Sequence, residues 1–271
     1  GLPVITTNWG GQTDFCNNQN SWLVDYKFSY AKSHFNLFSS VWAEPLVKDL
    51  SRCMNEVYRS NDLQKNEKLL EAKNTVDKLT WQKVARHNIK FSSLLKAANP
   101  IKDSRIGLIS SWNQKCGIYQ YARNLFGHSL SKIHILAPLG QPVIANDENN
   151  VTRCWYYEEK DYKSLLKTIL SKKLTTVVIQ FNFGFYEFRA LSQLIGSLKD
   201  KDVAIIIMFH STHAPPRNLS KSLSLLKVAL KKCDRILVHT PRDLNNLKDL
   251  GCIDNVSLFP HGILCNDIES K

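Results

Sequence analysis

At 271 residues, with 43% hydrophobic and 22% charged content, the chain is long enough for two ordinary domains with buried cores. No stretch reaches the roughly 18 uninterrupted apolar residues of a spanning helix, and the first residues lack the basic, apolar, small-residue order of a signal peptide. The net charge of +12 favours an anionic partner, a phosphorylated ligand or an anionic lipid surface, whereas nucleic acid would rest on charge alone and is not expected.

In chain order, residues 2–7 are β-branched and feed a turn cluster from Asn8 to Gly11, so a strand running into a glycine-rich loop is expected. A second short strand is expected at 21–25. Glu44-Pro45 reads as a helix start, with Val47, Leu50, Met54, Val57 and Tyr58 at helical spacing through about residue 59. A longer helical region follows over 62–95, broken near Leu79-Thr80, where Thr80 suits an N-cap. Its lysines read as a solvated face. One or two strands with two or three helices make a sheet too small for its helices, so residues 1–98 read as part of a domain. Residues 99–104, with Asn99-Pro100, are the linker.

Beyond the linker the pattern changes to alternation: strands at 105–110, 133–137, 175–181, 203–209, 235–239 and 256–259, and helices at 117–127, 160–171, 186–199, 219–232 and 241–250. Such alternation predicts an α/β, Rossmann-like domain with a mainly parallel sheet over 105–263, followed by a tail at 264–271. The runs 176–180 and 203–209 are apolar throughout, as central parallel strands are.

Ligands of open parallel sheets bind beyond the carboxyl ends of the strands, so the residues there are the site candidates. After the first strand of this domain, "SSWNQKCGIYQYARNL" places Asn113, Lys115, Cys116 and Gly117 at the start of a helix, where backbone amides favour an anion; an ordinary βα turn reads equally well. After 176–180, "QFNFGFYEF" offers the amides of Gln180 and Asn182. Phe181, Phe183 and Phe185 there are either core or an aromatic wall for a sugar. After 203–209, "FHSTHAPP" puts His210 at a strand tip, followed by Ser211. His239 and His261 stand at comparable positions and read as structural. The dinucleotide fingerprint G-x-G-x-x-G, a P-loop and a G-x-S-x-G elbow are all missing from the sequence. The seven cysteines show no zinc-like spacing, so no metal is expected and reduced thiols in the cytoplasm are.

These stretches resemble the retaining glycosyltransferases of family 4, whose GT-B fold sets two Rossmann-like domains face to face. "RIGLISSWNQKCGIYQYARNL", "VVIQFNFGFY", "IIIMFHST" and "RILVHTPRDLNNLKDLGCIDNVSLFPHGI" are similar, in order, to that family's amino-terminal domain. "GLPVITTNWGGQTDF" and "VWAEPLVKDLSRCMNEVYRS" are similar to the end of its donor-binding domain. The resemblance implies transfer, with retention, from a nucleotide-diphosphate sugar, UDP or GDP, to a glycan or lipid-linked acceptor. It also implies flanking transferase domains, a cytoplasmic setting and a possible peripheral membrane surface. It gives His210 the catalytic contact, Gly10, Gly11, Lys115 and Gly117 to the donor, and Asn113, Cys116, Gln180, Asn182 and Ser211 to the substrate. The E-x7-E glutamates of that family have no match here, so the segment is expected to start just behind them and to lack a complete donor site by itself. A non-catalytic binding or scaffold module is the other expectation.

Overall fold

The computed structural model describes residues 2–32, 40–78, 105–127, 133–214 and 219–259. The break at Leu79-Thr80, the helix beyond it, the linker at 99–104, His261 and the tail at 264–271 lie outside the described residues. The chain divides into two units, Gly1–Lys102 and Asp103–Lys271.

In the first unit, β1 (Ile5–Thr7) and β2 (Trp22–Val24) pair in parallel, and β3 (Tyr26–Tyr30) pairs antiparallel with β4 (Val41–Pro45). Pro45 therefore ends a strand instead of opening a helix. A proline is tolerated at a strand end, and α1 (Val47–Arg59) starts two residues later. The alternating Tyr26, Phe28 and Tyr30 carried the period-two signal for the hairpin. Leu50, Cys53 and Val57 of α1 pack on Trp22, Val24 and Ile5, whereas Val47, Met54 and Tyr58, expected on the buried stripe, face solvent. The next helix, α2 (Asp62–Lys78), buries no residue. It is tethered by polar contacts: Lys68 Nζ donates to the carbonyls of Asn18 and Ser21 and lies 4.9 Å from the Trp22 ring centroid, and Asn20 Nδ2 donates to Thr75 Oγ1 at 3.2 Å.

The second unit is the α/β, Rossmann-like domain. Seven parallel strands, β5 (Ile106–Ile109), β6 (Ile133–Pro138), β7 (Val151–Trp155), β8 (Thr176–Phe181), β9 (Ala204–Phe209), β10 (Arg235–Val238) and β11 (Val256–Leu258), lie in the order β11-β10-β9-β8-β5-β6-β7. From β5 the chain winds outward to β7, then returns to β8 and winds outward the other way. The switch point falls between β5 and β8. Of these seven strands, β7 escaped the sequence reading. It is an edge strand with Arg153 at its centre, and no helix announces it among residues 139–150.

Helix α3 (Gly117–Phe126) sets Tyr119 and Ala122 onto Leu108, Ile133, Ile135 and Val178. Successive strand residues point to opposite faces, so Phe181, which meets Phe188 of α5 (Phe188–Lys199), points away from α3. Helices therefore cover both faces. On the α5 side a row forms in which α4 (Lys163–Ser171) meets α5 and α5 meets α6 (Lys227–Lys232). The segment expected as one helix over 219–232 is two 3-10 turns, Leu219–Lys221 and Leu223–Leu226, leading into α6. Helix α7 (Pro241–Asp249) starts at a Thr240 cap that accepts from the Asp243 amide, and packs on β10 and β11.

Candidate functional site

The carboxyl edge of the seven-stranded sheet gathers the predicted residues of the second unit. The loop from β5 to α3 is held from below. Trp112, fully buried, donates from Nε1 to Glu148 at 2.9 Å, and Asn113 Nδ2 donates to the Asn146 carbonyl at 3.1 Å and to Asp147 at 3.0 Å. Arg153 closes this network. Its Nε and Nη2 grip both oxygens of Asp147 at 2.7 and 2.8 Å, while Nη1 donates to the Pro138 carbonyl and Nη2 to that of Trp112. Burial works against the charge on Asp147 and Glu148. Hydrogen bonds from Arg153 and Asn113 to the first, and from Trp112 and Asn113 to the second, outweigh it and hold both carboxyls below their ordinary range.

Asn113 adopts φ 50°, the left-handed region that asparagine tolerates better than most residues. It is 1% exposed and Gln114 is 6% exposed. Gln114 Oε1 accepts from the Tyr157 hydroxyl at 2.8 Å, and Tyr157 stacks on Phe185 at 4.5 Å. Two buried polar atoms of this loop have no hydrogen-bond partner, Asn113 Oδ1 and Gln114 Nε2, one an acceptor and one a donor. Adjacent Cys116 is the N-cap of α3 and makes no side-chain cap, so the first-turn amides of this ten-residue helix lack that satisfaction. Lys115 is exposed beside it. A Cβ added at Gly117 would meet nothing within 4 Å, so the protein's own packing does not require glycine there.

Across the switch point, Gln180 is fully buried. Its Nε2 donates to the Met208 sulfur at 3.6 Å and its Oε1 accepts from His210 Nε2 at 2.6 Å. Tyr121, one turn into α3, meets the His210 ring edge-on at 4.9 Å and the His239 ring at 5.2 Å, and the two imidazoles lie 5.3 Å apart. His239 Nδ1 donates to the Phe259 carbonyl at 2.7 Å. These bonds put the neutral-state lone pair on Nδ1 of His210 and on Nε2 of His239. Burial pushes the Tyr121 phenol up to about 12, so it stays protonated at neutral pH.

Other candidates have local duties. Asn182 Oδ1 accepts from the Gly184 amide at 2.8 Å, and Ser211 Oγ accepts from that of His213 at 3.1 Å. Cys116 Sγ accepts from Ser111 Oγ at 3.6 Å. Phe181 and Phe183 pack on each other and on Phe188, Phe185 stacks on Tyr157, and all three are buried, so they are core and not an exposed aromatic wall. Gly10, at φ 99°, and Gly11, which opens a 3-10 turn, belong to the first unit. Sequence reasoning missed Gln114, Tyr121 and the Arg153 network. Helical spacing could have found Tyr121, one turn beyond Gly117; the Arg153 network depends on the unread edge strand.

A cleft of about 710 Å³ in the first unit, between α1 and α2, is lined by Trp22, Arg52, Arg59, Glu67 and Lys68 among others. It is far in sequence from these residues, and the chemistry gathered at the sheet edge is the better-built site. No helix among the described residues is long and apolar enough to cross a membrane.

Comparison with known proteins gives little. No protein-family model matches the chain, and no curated protein does. Among solved structures it is similar to hydroxymethylglutaryl-CoA lyase from Pseudomonas aeruginosa, with 11% identity over 59% of this chain and 76% of that one, at a TM-score of 0.27. That score carries no argument about fold or reaction. The comparisons correct the resemblance drawn from the motifs: neither family models nor curated proteins supply a glycosyltransferase match. The family assignment and the glycosyltransferase activity do not stand. The comparisons do not test the roles the resemblance lent to individual residues; for those residues there is the geometry described above.

Proposed function

We propose that the second unit is a binding module. Its ligand is a small, hydroxyl-rich molecule carrying a phosphoryl group, held at the switch point between β5 and β8. The class includes sugar phosphates and nucleotide-diphosphate sugars. The observation that carries the reading is the unmatched pair Asn113 Oδ1 and Gln114 Nε2. Leaving a buried donor or acceptor unmatched costs about 1–3 kcal/mol, and a ligand hydroxyl, which both donates and accepts, has the chemistry to serve either. The start of α3, uncapped by a side chain and followed by a glycine that crowds nothing, suits the phosphoryl group, with Lys115 adding charge. His210, ordered by Gln180, offers a further polar group at the adjoining strand tip.

The test is titration calorimetry with a free hexose, a hexose phosphate, a nucleoside diphosphate and a nucleotide sugar. Phosphorylated, hydroxyl-bearing members bind and the free hexose binds far more weakly. Gln114→Leu, which keeps the fold, removes the binding. Absence of heat from every phosphorylated member, or unchanged affinity in Gln114→Leu, refutes the reading.

A further inference from the structure

Residues 203–233 contain no aspartate or glutamate, while they include Lys221, Lys227, Lys231 and Lys232. The 3-10 turn Leu223–Leu226 and helix α6 show how the segment uses this composition. Leu226, Ala229 and Leu230 point inward and are buried. Outward, Leu225 is 47% and Val228 is 70% exposed, with Lys227, Lys231 and Lys232 around them. Residues three and four apart are neighbours on a helix, so Val228, Lys231 and Lys232 share one face. Among the described residues no carboxylate pairs with Lys227, Lys231 or Lys232, although Lys221 is engaged by Glu158 and Lys199 by Asp234. Lys227 and Lys231 converge instead on Gly251 at the end of α7, their Nζ atoms 3.5 and 4.0 Å from where its Cβ would lie.

We propose that this face docks the protein peripherally on an anionic lipid surface. The apolar pair enters the boundary between headgroups and acyl chains while the lysine ring meets lipid phosphates. Charge complementarity with a chain of net charge +12 supplies long-range attraction. The exposed apolar centre distinguishes lipid from nucleic acid, whose backbone asks for cations and whose bases ask for aromatic rings, and among the described residues 223–232 that form this face there is no aromatic ring. The inference stands independently of the ligand proposed for the switch point.

Co-sedimentation of the full chain with phosphatidylcholine vesicles, with and without phosphatidylglycerol, tests it. Binding is expected only with phosphatidylglycerol and weakens as salt rises. Each lysine near an anionic surface accounts for about fivefold in partitioning, so Lys227→Glu with Lys231→Glu lowers binding by at least about twentyfold. Val228→Asp also lowers it, whereas Lys48→Glu with Lys167→Glu, the same charge change on α1 and α4, leaves most of it. Thermal melting confirms that each variant is folded. Failure to bind phosphatidylglycerol vesicles overturns the proposal, as does equal loss in the α1 and α4 control. Unchanged vesicle binding by Val228→Asp together with strong binding to double-stranded DNA also overturns it, in favour of a polyanion site.

Discussion

Replacing Arg153 with alanine removes the group that holds the β5–α3 loop to the edge strand. Four hydrogen bonds go: two to the Asp147 carboxylate, at 2.7 and 2.8 Å, and one each to the carbonyls of Pro138 and Trp112. Both side chains are less than one third exposed, so solvent screens the pair only partly. A charge-assisted hydrogen bond contributes about 1.5–3 kcal/mol, and the abandoned Asp147 keeps Asn113 as a donor, so the loss is about 3 kcal/mol rather than the sum of four bonds. For a unit of this size that lowers the melting temperature by roughly 6–12 °C. Circular dichroism melting measures it, and Arg153→Lys, keeping the charge without the fork, falls between. In the Asp147→Asn background the Arg153→Ala effect shrinks, because the two groups act as a pair. A melting temperature within about 1 °C of the parent for Arg153→Ala would show that the network does not hold the loop.

Three further outcomes follow from the geometry. Gly107→Ala places a methyl 2.6 Å from Leu174 Cδ1 inside the packed sheet and destabilises by about 1–3 kcal/mol, read by urea denaturation. Gln114→Leu with Tyr157→Phe removes both partners of one bond together with an unmatched donor, so its stability stays within about 1 kcal/mol of the parent in the same assay. The pH dependence has a definite sign. In Asp243, as in Asp147 and Glu148, burial pulls the pKa up and is outweighed, here by hydrogen bonds from Thr240 and Thr212, so all three lie below their ordinary values. A depressed folded pKa gives stability that is complete above the unfolded carboxylate range near 4 and is lost as pH falls through the folded values. Melting temperatures measured across that range decline toward acid, and the decline is shallower in Asp147→Asn.

The sheet of the second unit was legible because its central strands are apolar on both faces and its helices announce the crossovers. Runs such as 203–209 leave few alternatives to a buried parallel strand. The edge strand β7 and the β3–β4 hairpin were not read. One is half-exposed with an arginine at its centre, and the other was obscured by Pro45, whose N1 preference in helices competes with its place at a strand end. At the candidate site the strand-tip rule located His210, Gln180 and Asn113. It could not say that Asn182 and Ser211 serve local turns, or that Phe181, Phe183 and Phe185 are core, because both depend on which neighbours the fold supplies. Motif resemblance went further than the comparisons bear out, since a βα loop with a glycine and a histidine at a strand tip are features that open parallel sheets share across many functions.

Amide hydrogen exchange, with and without the phosphorylated molecule that binds most tightly in calorimetry, tests the central claim most directly. Ligand at the switch point slows exchange in residues 113–121 and 210–212 and leaves the first unit unchanged. Protection confined to residues 52–68 around the α1–α2 cleft, or absent from 113–121, would contradict it.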